Sequence, residues 1–243
     1  MIKGLYRSAS AMIPRVKRQE TIANNLANAA APGFKRDLMF TKELTRAEVK
    51  QARTKSDWQS PMIDQIYTDQ SQGVLDRTNN PLDMALEGNG FFVLEGDDGE
   101  QYLSRAGNFK ISPEGFLVNA SGNRVLSDGG PITLESGDVS VAQDGQISVE
   151  GSEVARVRVV EVDDPATLTK AGDCEYFVPE GIELRAAVDF AVRGGYLETS
   201  NVDAIREMID MISSYRSYEA DAQALKTQDD SLEKLIANVG RTI

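Results

Sequence analysis

The side chains that carry most enzyme chemistry are scarce in this chain. It contains no histidine, the side chain that most often serves as general base and metal ligand near neutral pH. Without it, neither a Ser-His-Asp nor a Cys-His arrangement can be built. The single cysteine, Cys174, can form neither an internal disulfide nor a cysteine metal cluster. It reads as a small buried or half-buried residue. Gly88-Asn89-Gly90 leads into the strand-like run FFVL and lacks a third glycine at the right distance, so the dinucleotide fingerprint fails. Asp97-Asp98-Gly99 lacks the alternating ligands and distal glutamate of a calcium loop. Carboxylates are plentiful, and paired acids stay open on spacing alone, but most sit in turn contexts that read as solvated surface. Arg105 and Asp83 are expected to form an ion pair. The expectation is a protein without catalytic, cofactor-binding or metal-binding residues, and not an enzyme.

What the chain has instead is periodicity. Toward the C-terminus, Ala204, Met208, Met211, Tyr215, Tyr218, Ala222, Leu225, Leu232, Ile236 and Val239 alternate steps of four and three, with Asp229 in the one gap. That is a heptad repeat, the pattern of a coiled-coil-like helix. Tyr215 and Tyr218 fall on it, which favours packing over a stacking platform. Thr199, Ser200 or Asn201 is expected to cap the start, with Asp203 and Glu207 suiting the positive helix end. Such a helix is about 50 Å long at 1.5 Å per residue and needs a partner along its stripe. Near the N-terminus Ile2, Leu5, Ala9, Met12, Val16, Ala23 and Leu26 follow the same rhythm, with Gln19 in the gap. Pro14 predicts a kink near Ile13 or a helix starting at Pro14, since an interior proline costs about 3 kcal/mol. The helix is expected to run to Ala31 and to stop at Pro32-Gly33.

The net charge of −12 is unevenly distributed. Residues 1–36 carry Lys3, Arg7, Arg15, Lys17, Arg18, Lys35 and Arg36 against Glu20 alone, while the middle and the C-terminal segment are acidic. The acidic body argues against nucleic-acid binding. The opposed charge of the two ends suggests that they meet, within one chain or between chains. The start lacks a secretory h-region, and no apolar run has transmembrane length. A basic start would also suit a mitochondrial transit peptide, but the matching C-terminal stripe argues against it.

Between the ends, residues 37–64 read as a linker or short helix, charged and without an apolar stripe. Beyond them, turn signals recur at Asn79-Asn80-Pro81, Gly88-Asn89-Gly90, Asp97-Asp98-Gly99, Pro113-Glu114-Gly115 and later positions. Runs such as FFVL (91–94), QYLS (101–104), GFLV (115–118), ITL (132–134), QISV (146–149) and VARVRVVEV (154–162) fill the gaps. Short strands with frequent turns predict an antiparallel all-β domain over 65–198. The fold class is therefore α+β. Long terminal helices at 1–36 and 199–243 are expected to form a coiled-coil-like layer, and the β domain lies between them in sequence.

Three stretches, in order, resemble one family. IANNLANAAAPGFKR (22–36) resembles the N-terminal signature of the axial proteins of the bacterial flagellum, the rod, hook and hook-associated subunits. LETSNVDAIREMIDMISSYRSYEADAQALKTQDDSLEKL (197–235) resembles their C-terminal signature, most recognisably at Ser200-Asn201-Val202 and Arg216-Ser217-Tyr218-Glu219. PLDMALEGNGFFVLEGDDGEQYLSRAGNFKISPEGFLVNASGNRVL (81–126) resembles the β domain of the larger rod subunits and the hook protein. Length and the compact segment after Phe34 point to a proximal-type rod subunit, with a distal rod or hook-type subunit as the alternative. A soluble β-domain enzyme or binding module with helical oligomerisation ends is the remote one.

The resemblance implies a structural subunit that is exported through the flagellar type III apparatus without a cleaved signal. It would assemble with copies of itself and other rod subunits into a torque-transmitting tube across the periplasm, around the export channel. It implies no cofactor, nucleic-acid partner or membrane embedding, and leaves contact with the basal-body rings open. The expected assembly interface comprises Leu5, Ala9, Met12, Val16, Ala23, Asn24, Asn25, Leu26 and Asn28 with Met208, Met211, Tyr215, Tyr218, Ala222, Leu225, Leu232 and Ile236. Pro32 and Gly33 are expected to mark the turn out of the inner layer. The three asparagines are expected to bond neighbouring subunits.

Overall fold

The computed structural model describes residues 2–43, 61–135, 137–172, 174–179 and 181–239; for 2–11, 41–43, 61–65, 235, 238 and 239 it describes the backbone alone. The chain divides into two compact units. One comprises Met1–Ala27, Asp37–Thr68 and Asp203–Ile243, the other Asn28–Arg36 and Asp69–Val202. Together they make an α+β protein with helices near both ends and an antiparallel β-rich centre.

The first unit contains helix α1 (Ile2–Ala27), helix α2 (Ala204–Val239), and strands β1 (Asp37–Glu43) and β2 (Pro61–Thr68). β1 and β2 pair antiparallel with a bulge at Phe40/Thr41, and Phe40 stacks on Tyr67 at 5.0 Å. The stretch expected as linker or helix thus opens and closes in strands, while residues 44–60, with Trp58, lie outside the described residues. α1 runs unbroken through Pro14, so no helix starts there. The Pro14 ring is buried. α1 also ends earlier than expected, at Ala27. Asn28 to Ala31 form a turn closed by the Ala31 N–H on the Asn28 carbonyl at 3.0 Å. Asp203, not a residue of 199–201, caps α2: its Oδ1 accepts the N–H groups of Ile205 and Arg206, each at 3.1 Å. A carboxylate there meets both the unpaired N–H groups and the positive helix end.

The second unit is built around a run buried on both faces. Strands β3 (Leu75–Arg77), β4 (Met84–Gly88), β5 (Phe91–Glu95) and β6 (Gln101–Ser104) come first in sequence. β5 pairs antiparallel with β6, with Arg124–Ser127 and with Val159–Glu161. Successive side chains of a strand point to opposite faces. Phe92 and Leu94 accordingly join one core with Met84, Leu86, Leu117 and Ile147, while Phe91 and Val93 join another with Leu103, Val160 and Tyr176. The expected strand over 154–162 is split at Val157-Arg158, whose N–H groups turn to Gly145 and Leu126. ITL makes only a bridge, Thr133 to Phe116.

Beside this core, the segment Phe34-Lys35-Arg36 is held by Glu198. The Lys35 ammonium lies 2.5 Å from Glu198 Oε1 and donates to the Ser71 carbonyl at 2.8 Å. Arg105 Nη1 lies 3.7 Å from Glu198 Oε2, and Arg105 Nη2 donates to the Gly88 carbonyl. All three side chains are buried. The expected Arg105–Asp83 pair is therefore corrected: Arg105 is drawn to the buried carboxylate, and Asp83 accepts from the Asn80 amide at 3.0 Å. The Gly73 N–H also donates to Glu198 Oε1. Gly33, at φ +68°, donates its N–H to the Glu198 carbonyl at 2.8 Å. A Cβ on Gly33 would sit 2.3 Å from Ala106 N, so backbone conformation and space both demand glycine. Lys170 covers the Phe34 ring at 4.3 Å and donates to the Lys35 carbonyl. Asn201 accepts the Arg36 N–H and donates to the Asp69 and Ser71 carbonyls.

Burial holds the Lys35 ammonium below its ordinary value of 10.5, against the opposing pull of Glu198; desolvation likewise lowers Arg105, with Glu198 again opposing. Two predictions follow from one carboxylate serving two cations. Glu198→Gln leaves both cations without their counterion and should cost about 3–5 kcal/mol. Lys35→Met leaves Arg105 to face Glu198 and should cost less. Urea titrations followed by circular dichroism rank the two, and the reverse order would contradict the assignment. As pH rises toward 10.5, folded Lys35 releases its proton before the unfolded chain does, so folding there is coupled to proton release. The stability of the wild type relative to Lys35→Met should therefore increase through that window; a decrease would contradict the lowered lysine.

Candidate assembly surface

α1 and α2 pack antiparallel. Near one end of the pair, Asn25 Nδ2 lies 3.4 Å from Glu207 Oε2. Ten residues earlier on α1 and fourteen later on α2, Arg15 Nε lies 2.5 Å from Asp221 Oδ2. The contact runs along a polar column of α2 that recurs every seven residues. Glu207 and Ser214 are buried, and Asp221 and Gln228 are half-buried. Flanking it, Ala204, Met211, Tyr218, Leu225 and Leu232 are half-buried. α1 contributes Arg15, Gln19 and Leu26, half-buried, with Ile22 and Asn25 buried. Ser214 Oγ has no hydrogen-bond partner among the described residues.

With the polar column turned toward α1, a second stripe of α2 faces outward. Ile205, Met208, Ile209, Ile212, Tyr215 and Ile236 are each between 50% and 72% exposed. The first five lie at steps of three, one, three and three, which puts them on one side of a helix. On α1, Ile13 and Val16 are exposed as well.

Of the residues expected at an assembly interface, Met208 and Tyr215 lie on the outward stripe, Ile236 is exposed near the end of α2, and Val16, Ala23 and Asn24 are exposed on α1. Met211, Tyr218, Leu225 and Leu232 flank the seam, Ala222 and Met12 are half-buried, and Leu26 is at the seam. The side chains of Leu5 and Ala9 lie outside the described residues. Asn28 is half-buried beyond the end of α1, and Pro32 and Gly33 follow in the turn region. Asn25 departs from the expectation. Its Oδ1 accepts the Asp37 N–H and its Nδ2 donates to the Asp37 carbonyl, each at 2.9 Å. Its amide thus imitates a strand partner for the first residue of β1, within its own chain. Ile205, Ile209 and Ile212 lie outside the expected heptad, because a strict 3.5-residue count skips the adjacent column that widens the apolar face. Also missed was the buried group of Lys35, Arg105, Glu198 and Asn201. The available signal was the Lys35-Arg36 pair and the lone carboxylate of Glu198 in separate signature stretches.

Monomeric soluble proteins rarely turn a continuous apolar stripe outward, and such a stripe marks an interaction surface. The five residues from Ile205 to Tyr215 form such a stripe on α2. Three family profiles match the chain: "Flagella basal body rod protein" over residues 5–35, "Flagellar hook protein FlgE/F/G D1 domain" over 85–149, and "Flagellar basal body rod FlgEFG protein C-terminal" over 193–238. The chain is 33% identical to the flagellar basal-body rod protein FlgF of Caulobacter vibrioides, with 99% of each chain covered. It is 30% identical to the rod protein FlgG of Buchnera aphidicola subsp. Baizongia pistaciae, over 97% of this chain and 99% of that one. To the flagellar hook protein FlgE of Brucella abortus it is 31% identical, over 79% of this chain but only 44% of the hook protein. This chain belongs to the family of flagellar basal-body rod proteins. Among the described residues, no helix is long and apolar enough to cross a membrane.

Because Asn25 pairs with both polar groups of Asp37, Asn25→Leu should lower stability by about 1–3 kcal/mol. A urea titration of the purified protein checks this, and an unchanged midpoint would contradict the assigned role.

Proposed function

We propose that this chain is a structural subunit of the flagellar basal-body rod, joined to its neighbours through the outward stripe of α2. The observation that carries the reading is the row Ile205, Met208, Ile209, Ile212 and Tyr215, exposed on a helix whose polar column is already used. Covering that row contributes roughly 25 cal/mol for each Å² of apolar surface removed from water. A contact in which the stripe meets a different surface of the next copy does not close on itself, and it builds a helical tube. In this reading the terminal helices form the inner, coiled-coil-like layer around an export channel. Pro32 and Gly33 lead the chain out of that layer, and the segments 1–36, 37–64, 65–198 and 199–243 act as inner helix, connection, outer domain and inner helix. The tube passes motor torque to the hook.

The same reading makes the chain a substrate of the flagellar type III export apparatus, delivered to the periplasm without cleavage of a signal, and a protein without catalytic activity. A proximal-type position is favoured by the compact segment after Phe34. A hook-type position is disfavoured because the chain spans less than half of the hook relative.

Ile209→Asp tests the stripe. Its position is exposed, so the isolated protein should keep its stability within about 0.5 kcal/mol. Cells carrying it should lose swimming, and their isolated basal bodies should lack the subunit. Normal swimming with the variant incorporated would contradict the proposed contact.

A further inference from the structure

The helix pair carries a feature that the assembly reading does not require. A seam between two helices is stabilised most simply by apolar side chains, and α2 has them on its outward side. Beside the half-buried apolar column Ala204, Met211, Tyr218, Leu225 and Leu232, the seam also buries Glu207 and Ser214 and half-buries Asp221 and Gln228; Arg15 reaches Asp221 and Asn25 reaches Glu207, while Gln19 Nε2 and Gln228 Oε1 have no hydrogen-bond partner among the described residues. Polar groups at a helical seam contribute little stability compared with apolar ones, but they penalise every pairing that leaves them without partners. Their best-attested use is to select register and orientation.

We propose that the Arg15–Asp221 ion pair and the Asn25–Glu207 contact are register keys, which hold α1 and α2 in the one rotation that turns Ile205, Met208, Ile209, Ile212 and Tyr215 outward. The inference rests on the assembly reading for its consequence, though not for its geometry. The spacing supports it. The two contacts stand ten residues apart on α1 and fourteen apart on α2. On antiparallel helices such unequal steps can be bridged because the long Arg15 side chain leans toward the N-terminus of its helix, the direction in which Asp221 lies. Rotating α2 by about 100°, one residue, would carry Asp221 away from Arg15 and Glu207 away from Asn25. It would also turn the exposed isoleucines toward the seam. An apolar seam would thus compete with the assembly face for the same side chains, and the polar keys exclude that alternative. Ser214 fits the same logic: its small hydroxyl sits buried between the two contacts without a hydrogen-bond partner among the described residues, so it permits close approach and does not specify the pairing.

A charge swap carried in place of the wild-type gene tests the proposal. Arg15→Asp alone sets two carboxylates together and should abolish swimming. Arg15→Asp with Asp221→Arg restores an opposite pair and should recover most of the swimming-ring diameter. Arg15→Leu with Asp221→Leu should give a soluble protein no less stable to heat than the wild type, yet one that swims poorly, because packing is kept while the key is lost. A swap no better than the single reversal, or a leucine pair that swims normally, would overturn the register assignment. Absence of the wild-type chain from basal bodies would instead overturn the assembly reading, so the two failures are distinguishable.

Discussion

A helix that carries two different stripes can bury only one of them against a single partner helix. In α2 that partner is α1, and the face it takes is the polar column from Glu207 to Gln228 with the half-buried apolar column from Ala204 to Leu232 beside it. Arg15 reaches Asp221, Asn25 reaches Glu207, and Ile22 is the fully buried apolar side chain between them on α1. The isoleucines at 205, 209 and 212 are left facing outward. A free-standing protein has no use for this arrangement, since reversing the two faces would hide more apolar surface. It becomes economical once a second molecule covers the outward stripe. The rod-family membership and the odd distribution of polarity therefore support each other from independent observations.

The β-rich unit is organised around a comparable constraint, the single carboxylate of Glu198. A buried carboxylate must be met by donors or cations. Here Lys35, Arg105 and the Gly73 N–H supply them, while the Glu198 backbone carbonyl takes the Gly33 N–H. Stretches far apart in sequence, APGFKR and LETSN, are thereby held in one unit. Asn201 repeats the device three residues further on, by joining Arg36, Asp69 and Ser71. The two signature stretches read as family motifs in the sequence act structurally as a pair.

Periodicity made the architecture legible. The steps of four and three between 204 and 239 announced α2, and the frequent turn signals from Asn79 onward announced short antiparallel strands. FFVL, buried on both faces, was recognisable as β5. What could not be read was which face of each helix meets which neighbour. A heptad says that a stripe exists, but a two-helix seam chooses among columns by the partners on offer, and those lie some two hundred residues away. Asn25 shows the same limit. Its amide was expected to bond a neighbouring subunit, whereas the structure pairs it with the backbone of Asp37, twelve residues on. Arg105 was likewise matched to the sequence-near Asp83, while the structure matches it to Glu198. Nothing local in either segment reports that choice. Pro14 was a local stop signal, yet α1 continues through it.

The central claim is that the outward stripe of α2 is a contact between subunits. A cryo-electron microscopy map of the intact basal body tests it most directly. The account predicts that Ile205, Met208, Ile209, Ile212 and Tyr215 are covered by the helices of neighbouring chains while Arg15 and Asp221 of one chain remain paired. A map in which those five side chains face the channel or open solvent would contradict it.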